Sequence, residues 1–119
     1  MDLGLTGKTA AIAAGTAGLG LGTAKALAAD GVRVVVCGRD ENRLEKALGE
    51  IGHGATGFVC DVSTDIGGRE FAERAIAMLG SVDILVANGG GPPPGGFAQT
   101  PEAQYLEALQ KNLLSIVAM

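Results

Sequence analysis

Aromatic residues are nearly absent from this 119-residue sequence: three Phe, one Tyr and no Trp, 3% in all. A core built almost without rings must rely on Ala, Val, Leu and Ile. These bring the apolar content to 47%, too high for a disordered chain. Cysteine is scarce as well. Cys37 and Cys60 each end an apolar, strand-like run, which reads as two small buried hydrophobes in a reducing compartment rather than a disulfide or a metal site. The one histidine, His53, lies in the turn Gly52-His53-Gly54 and reads as solvated. Basic residues number nine, are scattered, and leave a net charge of −4, so no nucleic-acid surface is expected. A small anionic ligand is not excluded, because a local backbone turn holds phosphates even in an acidic protein. No apolar run reaches membrane-spanning length and no basic-then-apolar leader opens the chain, so a cytoplasmic address without a membrane partner is the default expectation.

Glycine, in contrast, is plentiful: twenty residues, where about 7% of a chain is usual. The densest and most informative group lies in residues 8–30. An apolar run, residues 9–14, has the length and bulk of a buried strand. The small residues Gly15-Thr16-Ala17-Gly18-Leu19-Gly20 follow, and then an Ala/Leu-rich helix over residues 19–29, with Leu19, Thr23, Ala26, Leu27 and Ala28 as its apolar side. A strand feeding a glycine turn that opens a helix is the architecture that grips a dinucleotide pyrophosphate. Unpaired N–H groups of the first turn face the phosphates, backed by roughly half a positive charge from the helix dipole.

Strand–helix alternation continues along the chain. Residues 32–37 form a β-branched run typical of a parallel strand covered on both faces. Asp40 is placed to cap a helix over residues 41–50, with Leu44, Ala47, Leu48 and Ile51 at helical spacing. Residues 55–60 make a third strand, closed by Asp61-Val62-Ser63. The next helix carries Phe71, Ala72, Ala75, Ile76 and Leu79 as its buried stripe, and Gly67-Gly68 blur its start. Residues 82–87 make a fourth strand, and the Gly/Pro-rich residues 88–96 a loop. Thr100 as N-cap and Pro101 as first helical residue open a last helix, striped by Leu106, Leu109, Leu113, Ile116 and Val117. Short connections between such units require right-handed crossovers and a parallel sheet. The expected fold is α/β, a Rossmann-type doubly wound sheet with strand order 3-2-1-4. Its ligand crevice lies between the glycine turn and the Asn88 loop.

These residues resemble the amino-terminal half of a short-chain dehydrogenase/reductase, 3-oxoacyl-reductase-like subgroup, over essentially the whole chain. The family's glycine motif TGxxxGxG stands here as Ala13-Ala14-Gly15-Thr16-Ala17-Gly18-Leu19-Gly20. Ala14 takes the place of the first glycine, as in a subset of the family, with Gly15 beside it expected to relax the turn. Asp61-Val62 is similar to the pair whose Asp holds the adenine amino group. Ala87-Asn88-Gly89-Gly90 is similar to the family's NNAG, and the Gly/Pro loop after it looks like that of the 3-oxoacyl reductases. Asn112 corresponds to the Asn of the Asn-Ser-Tyr-Lys tetrad, which positions a proton-relay water. The resemblance thus implies a catalytic role for Asn112. It implies cofactor contacts for residues 14–20, Arg39, Asp61, Val62, Asn88 and Gly89.

Cofactor choice follows from the end of the second strand. A ribose 2′-hydroxyl calls for a carboxylate there, and a 2′-phosphate for a guanidinium. Gly38 stands where the carboxylate would be, and Arg39 follows, so NADP(H) is expected over NAD(H). Plainer readings stay open: Arg39 as a surface charge or paired with Asp40, Asp61 as a turn former, Asn88 as a tie between strand ends, Asn112 as an ordinary helix residue. Tyr105 has Leu109 four residues on, so it makes no Tyr-x-x-x-Lys and reads as a packing residue.

Carbonyl reduction needs a proton donor, and by resemblance the Ser, Tyr and Lys that supply it lie beyond residue 119. The fourth strand is left with an unpaired edge. Residues 1–119 are therefore expected to be the cofactor-binding portion of a longer, homo-oligomeric oxidoreductase acting on a small carbonyl or alcohol, unless another chain covers that edge. The rival expectation is a catalytically silent nucleotide-binding module or an interaction subunit.

Overall fold

The computed structural model describes residues 2–89 and 95–119. Its sheet is parallel throughout. Strand β1 (Thr9–Ile12) lies between β2 (Arg33–Gly38) and β4 (Ile84–Val86), and β3 (Thr56–Val59) pairs with the far side of β2. The order β3-β2-β1-β4 is the expected Rossmann-type winding. Ile12 stands opposite both Val36 and Val86, so β1 and β4 end level, while β2 and β3 run two residues further, to Gly38 and Val59.

Helix α1 (Gly18–Ala29) and helix α2 (Glu41–Ile51) cover one face, and helix α3 (Asp65–Leu79) the other. Alternation along the strands feeds both cores. Ala10, Ile12, Val34 and Val36 face α1 and α2, while Ala11, Ala13, Val35 and Cys37 face α3 with Phe58, Phe71 and Ala75. Phe58 and Phe71 are the two aromatic residues of the core, their ring centroids 5.9 Å apart.

The regular strands are shorter than the apolar runs behind them. Ala13, Gly15 and Cys60 extend the ladder by single bonds, to the carbonyls of Val86, Cys37 and Gly38, after which the chain turns away. Helix α1 buries a narrower line than its sequence suggests: Gly20, Ala24 and Ala28. It presses so close to the sheet that only small residues fit, and Leu19 is 87% exposed at its open end. In α3 the line is Gly67, Gly68, Phe71, Ala75 and Leu79, and Ile76, a third of a turn away, is exposed.

Gly67 and Gly68 do not delay α3; they lie inside its first turn, behind the Thr64 cap, whose hydroxyl accepts from the Gly67 amide at 3.0 Å. A Cβ at Gly67 would strike the Asp61 carbonyl, and one at Gly68 the Ser115 carbonyl of the last helix. Gly68 thus allows the close crossing of the last helix, and Gly67 the tight entry from Asp61 into α3.

The carboxyl-terminal helix departs most from expectation. Thr100 does not cap it: its hydroxyl donates to the Gly96 carbonyl at 2.7 Å, Pro101 is the N-cap, and helix α4 runs Glu102–Leu109. A π turn, Gln110–Leu114, then leads into the short α5, Ser115–Val117. The extra residue of that turn rotates the contact face onto Ala108, Asn112 and the fully buried Ser115. Leu106, Leu109, Leu113 and Val117, the expected buried stripe, are exposed, and Ile116 is half-buried.

At the amino ends of the strands, the Asp83 carboxylate accepts from the Thr9 amide at 2.9 Å and clamps the start of β4 to β1. Strand β4 pairs only with β1 among the described residues, so its outer edge is open and Leu85 is 45% exposed. No described helix is long and apolar enough to cross a membrane.

Candidate functional site

Beyond β1 the chain must reverse into α1 within a few residues. Ala14 adopts φ +50, a left-handed conformation unusual for a residue with a Cβ, and Gly18 adopts φ +54. The strain therefore falls on Ala14 itself. Gly15 does not relax it; it serves another end, since its Cβ would press into Val36 at 2.8 Å. A Cβ at Gly20 would strike the Ala14 carbonyl and the Asn88 amide, so the helix can begin this close to the turn only with glycine there. The Asn88 side chain donates to the Ala14 carbonyl at 3.3 Å, tying the end of β4 to the turn after β1. Gly38 is small for a similar reason: the Thr16 side chain occupies the place of its Cβ.

Ala17 caps α1 without a side-chain hydrogen bond, and no acid lies in the first turn. The amide end of α1 thus opens into a cleft of about 550 Å³ at the carboxyl ends of the strands, of a size suited to a cofactor. Ala14, Thr16, Ala17, Gly18 and Leu19 form one wall. Gly38, Arg39, Asp40 and Arg43 form the end beyond β2, and Cys60, Asp61, Val62 and Ser63 the end beyond β3. Asn88, Gly89 and Lys111 close the side toward β4. Gly15 and Gly20 stand behind this lining and shape it.

Electrostatics separate the charged groups. Asp40 accepts from the Arg43 amide at 3.0 Å and is committed as the cap of α2. Neither ion pair among the described residues, Arg74–Glu70 or Lys111–Glu107, involves Arg39. Hydrogen bonds from the Ser63 hydroxyl and amide hold the Asp61 carboxyl below its ordinary range, with Arg39 and Lys111 adding to the effect. Asp61 is therefore a firm anion facing the cleft. Burial pushes the Cys37 thiol up to about 12 and raises that of Cys60, which donates to the Gly67 carbonyl at 3.4 Å. Both thiols are free and buried, and neither is primed as a nucleophile.

Asn112 stands apart. Its amide donates to the Ala108 carbonyl at 3.0 Å, one turn back on its own helix, and it does not line the cleft. Lys111 beside it does. Tyr105 packs on Phe97 with centroids 6.0 Å apart and donates to the Phe97 carbonyl, away from the cleft. Residues 90–94, the middle of the Gly/Pro loop, lie outside the described residues.

The sequence reading missed Arg43, Lys111 and Ser63. Arg43 had a signal, standing three residues after the Asp40 cap and hence on the first turn above it. Lys111 had none, because only the π turn carries it to Gly89, whose Cβ position lies 3.6 Å from the Lys111 carbonyl.

The short chain dehydrogenase family model matches residues 8–119. The chain belongs to that family. A Streptomyces violaceoruber protein provisionally named a ketoacyl reductase of the granaticin polyketide synthase is 37% identical, over 98% of this chain and 44% of its own length. Among solved structures, a 3-ketoacyl-(acyl-carrier-protein) reductase from Brucella melitensis complexed with NADH superimposes with a TM-score of 0.84. It is 32% identical, with 97% of this chain and 48% of that one covered. A blue fluorescent protein from a metagenomic library, in complex with NADPH, gives 0.85 at 27% identity, with 96% and 49% covered. The chain spans less than half the length of the relatives it matches.

Proposed function

We propose that this short-chain dehydrogenase chain is the cofactor-binding half of an oxidoreductase that prefers NADP(H) and interconverts a carbonyl and an alcohol. The observation that carries this reading is the convergence of three groups on one cleft: the uncapped end of α1, the Asp61 carboxylate and the Arg39 guanidinium. The dinucleotide complexes of the two structural neighbours support the ligand class and leave its 2′ substituent to be decided by this chain's own residues.

In this reading the amides of Gly18 and Leu19 hold the diphosphate, Asp61 accepts from the adenine amino group, and Val62 bounds the base. Arg39 pairs with the 2′-phosphate, a charge-assisted contact of about 1.5–3 kcal/mol. Asn88 keeps the turn and β4 in register. When bound, the nicotinamide supplies a hydride from C4 to a carbonyl carbon, whose oxygen takes a proton. Asn112 would position a proton-relay water, as the resemblance implies, although its amide is turned to the Ala108 carbonyl, and the Ser, Tyr and Lys of the family tetrad would come from outside these residues. The ketoacyl names of two compared proteins support a 3-oxoacyl-type substrate. Exposed Leu106, Leu109 and Leu113 support self-association.

Fluorescence titration of purified protein with NADPH and NADH tests the reading. Arg39→Ala should weaken NADPH about tenfold or more and NADH little. Equal losses would remove Arg39 from the site. The 119 residues alone should bind NADPH without reducing ketones, and measurable turnover would contradict that. The open edge of β4 favours one alternative, an interaction subunit that lends its sheet to a partner.

A further inference from the structure

We infer that the outer edge of β3 is a latent pairing surface for a second copy of this chain, held shut by Arg74. Among the described residues β3 pairs only with β2, so it ends the sheet on the side opposite β4. The usual deterrents to edge pairing are missing from the strand itself. Residues 55–60, Ala-Thr-Gly-Phe-Val-Cys, contain neither a charge nor a proline. The ladder fixes which backbone groups point outward. Gly38 stands opposite Val59, and its carbonyl accepts from the Cys60 amide. Cys60 therefore faces β2, and Val59 turns its own N–H and C=O away from it. Gly57, two residues back, faces outward in the same way and has no side chain to obstruct a visiting strand.

Arg74 reaches this edge from α3. Its guanidinium donates to the Val59 carbonyl at 3.2 Å. The same group lies 4.1 Å from the centre of the Phe58 ring and 3.4 Å from the Glu70 carboxylate, one turn back on its helix. Ring, carboxylate and carbonyl together hold one charged side chain across the strand. An incoming strand needs the Val59 carbonyl as an acceptor, and to obtain it must displace a cation from three partners. A charge placed on an edge is the common means of keeping sheets from joining; here the helix supplies the charge that the strand lacks. Among the described residues no side chain donates to the carbonyls of β4 in this way, so the guard is one-sided.

Sedimentation velocity and amide hydrogen exchange on wild type, Arg74→Met, Arg74→Ala, Arg74→Lys and the double variant Arg74→Met/Val59→Pro are the test, with thermal melts alongside. Methionine keeps a stem against Phe58 and removes the donors, so the fold is retained while the edge is uncovered. Arg74→Met and Arg74→Ala should each gain a species of about twice the wild-type mass that grows with protein concentration, as two edges meeting about a twofold axis require. In that species the outward amides of Gly57 and Val59 should exchange more slowly than in wild type. Arg74→Lys, which keeps a charge at the edge, should sediment as wild type does. Val59→Pro removes an outward N–H and leaves the ladder to β2 intact, so the double variant should return to the wild-type mass. Folded Arg74→Met and Arg74→Ala proteins that sediment as wild type would overturn the inference. So would association that Val59→Pro does not reverse, or that leaves the Gly57 amide as fast to exchange as before.

Discussion

The side-chain amide of Asn88 donates to the Ala14 carbonyl across 3.3 Å, joining residues 74 apart in sequence at the ends of neighbouring strands. The same amide lies 2.8 Å from where a Cβ on Gly20 would stand. Turn, helix start and β4 thus share one crowded point. Asn88→Ala should remove about 1 kcal/mol of stability and weaken NADPH and NADH alike. Chemical denaturation and cofactor titration check this; loss of NADPH alone would place Asn88 at the 2′-phosphate instead.

Gly20→Ala should be worse than its single methyl suggests. Backbone, not a movable side chain, stands in the way, because the Ala14 carbonyl fills the space. Overpacking of this kind costs about 1–3 kcal/mol and here would also push α1 off its line. A lowered melt together with lost cofactor binding is expected, whereas Gly22→Ala, with open space at its Cβ, should leave binding intact.

Ala14→Gly runs the other way. A left-handed φ costs an alanine about 1–2 kcal/mol, more than the roughly 0.5–1 kcal/mol that glycine loses in chain entropy. The substitution should stabilise the protein slightly, raising the melting temperature by about 2–4 °C. A lower melting temperature would show that the Ala14 methyl packs favourably enough to outweigh the strain.

Asp83 sets an acid limit. Hydrogen bonds from the Thr9 amide and hydroxyl hold its carboxyl below the ordinary 3.8. A depressed folded value means that its contribution is complete above the unfolded value and is lost as pH falls through the folded one. Denaturation curves followed from about pH 5 downwards, to below the ordinary carboxylate value, should show this loss in wild type and a flatter acid limb in Asp83→Asn. Identical limbs would exclude the clamp as its source.

The sequence made the sheet order, the Asp40 cap and the glycine turn legible because each rests on local chemistry: apolar runs, a capping residue, a cluster without side chains. Strand ends were less legible, since Val32 and Val82 have strand chemistry but no regular ladder partner. The last helix was read with a uniform period, and nothing in Gln110–Leu114 marks the π turn that moves the contact face from the leucines to Ser115. Gly67-Gly68 looked like a weak helix start partly because the carbonyl that needs Gly68 to be small lies 47 residues away, at Ser115 of another helix. Lys111 joins the cleft through folding alone, whereas Arg43 could have been read from its place above the Asp40 cap.

Backbone amide resonances of Gly18, Leu19 and Gly20, followed by NMR during titration with NADPH, address the central claim most directly. Those three amides should move together, saturably and ahead of the rest of the chain, with the Arg39 and Asp61 signals following the same curve. Saturable binding that leaves all three amides unmoved would place the diphosphate elsewhere and contradict the site.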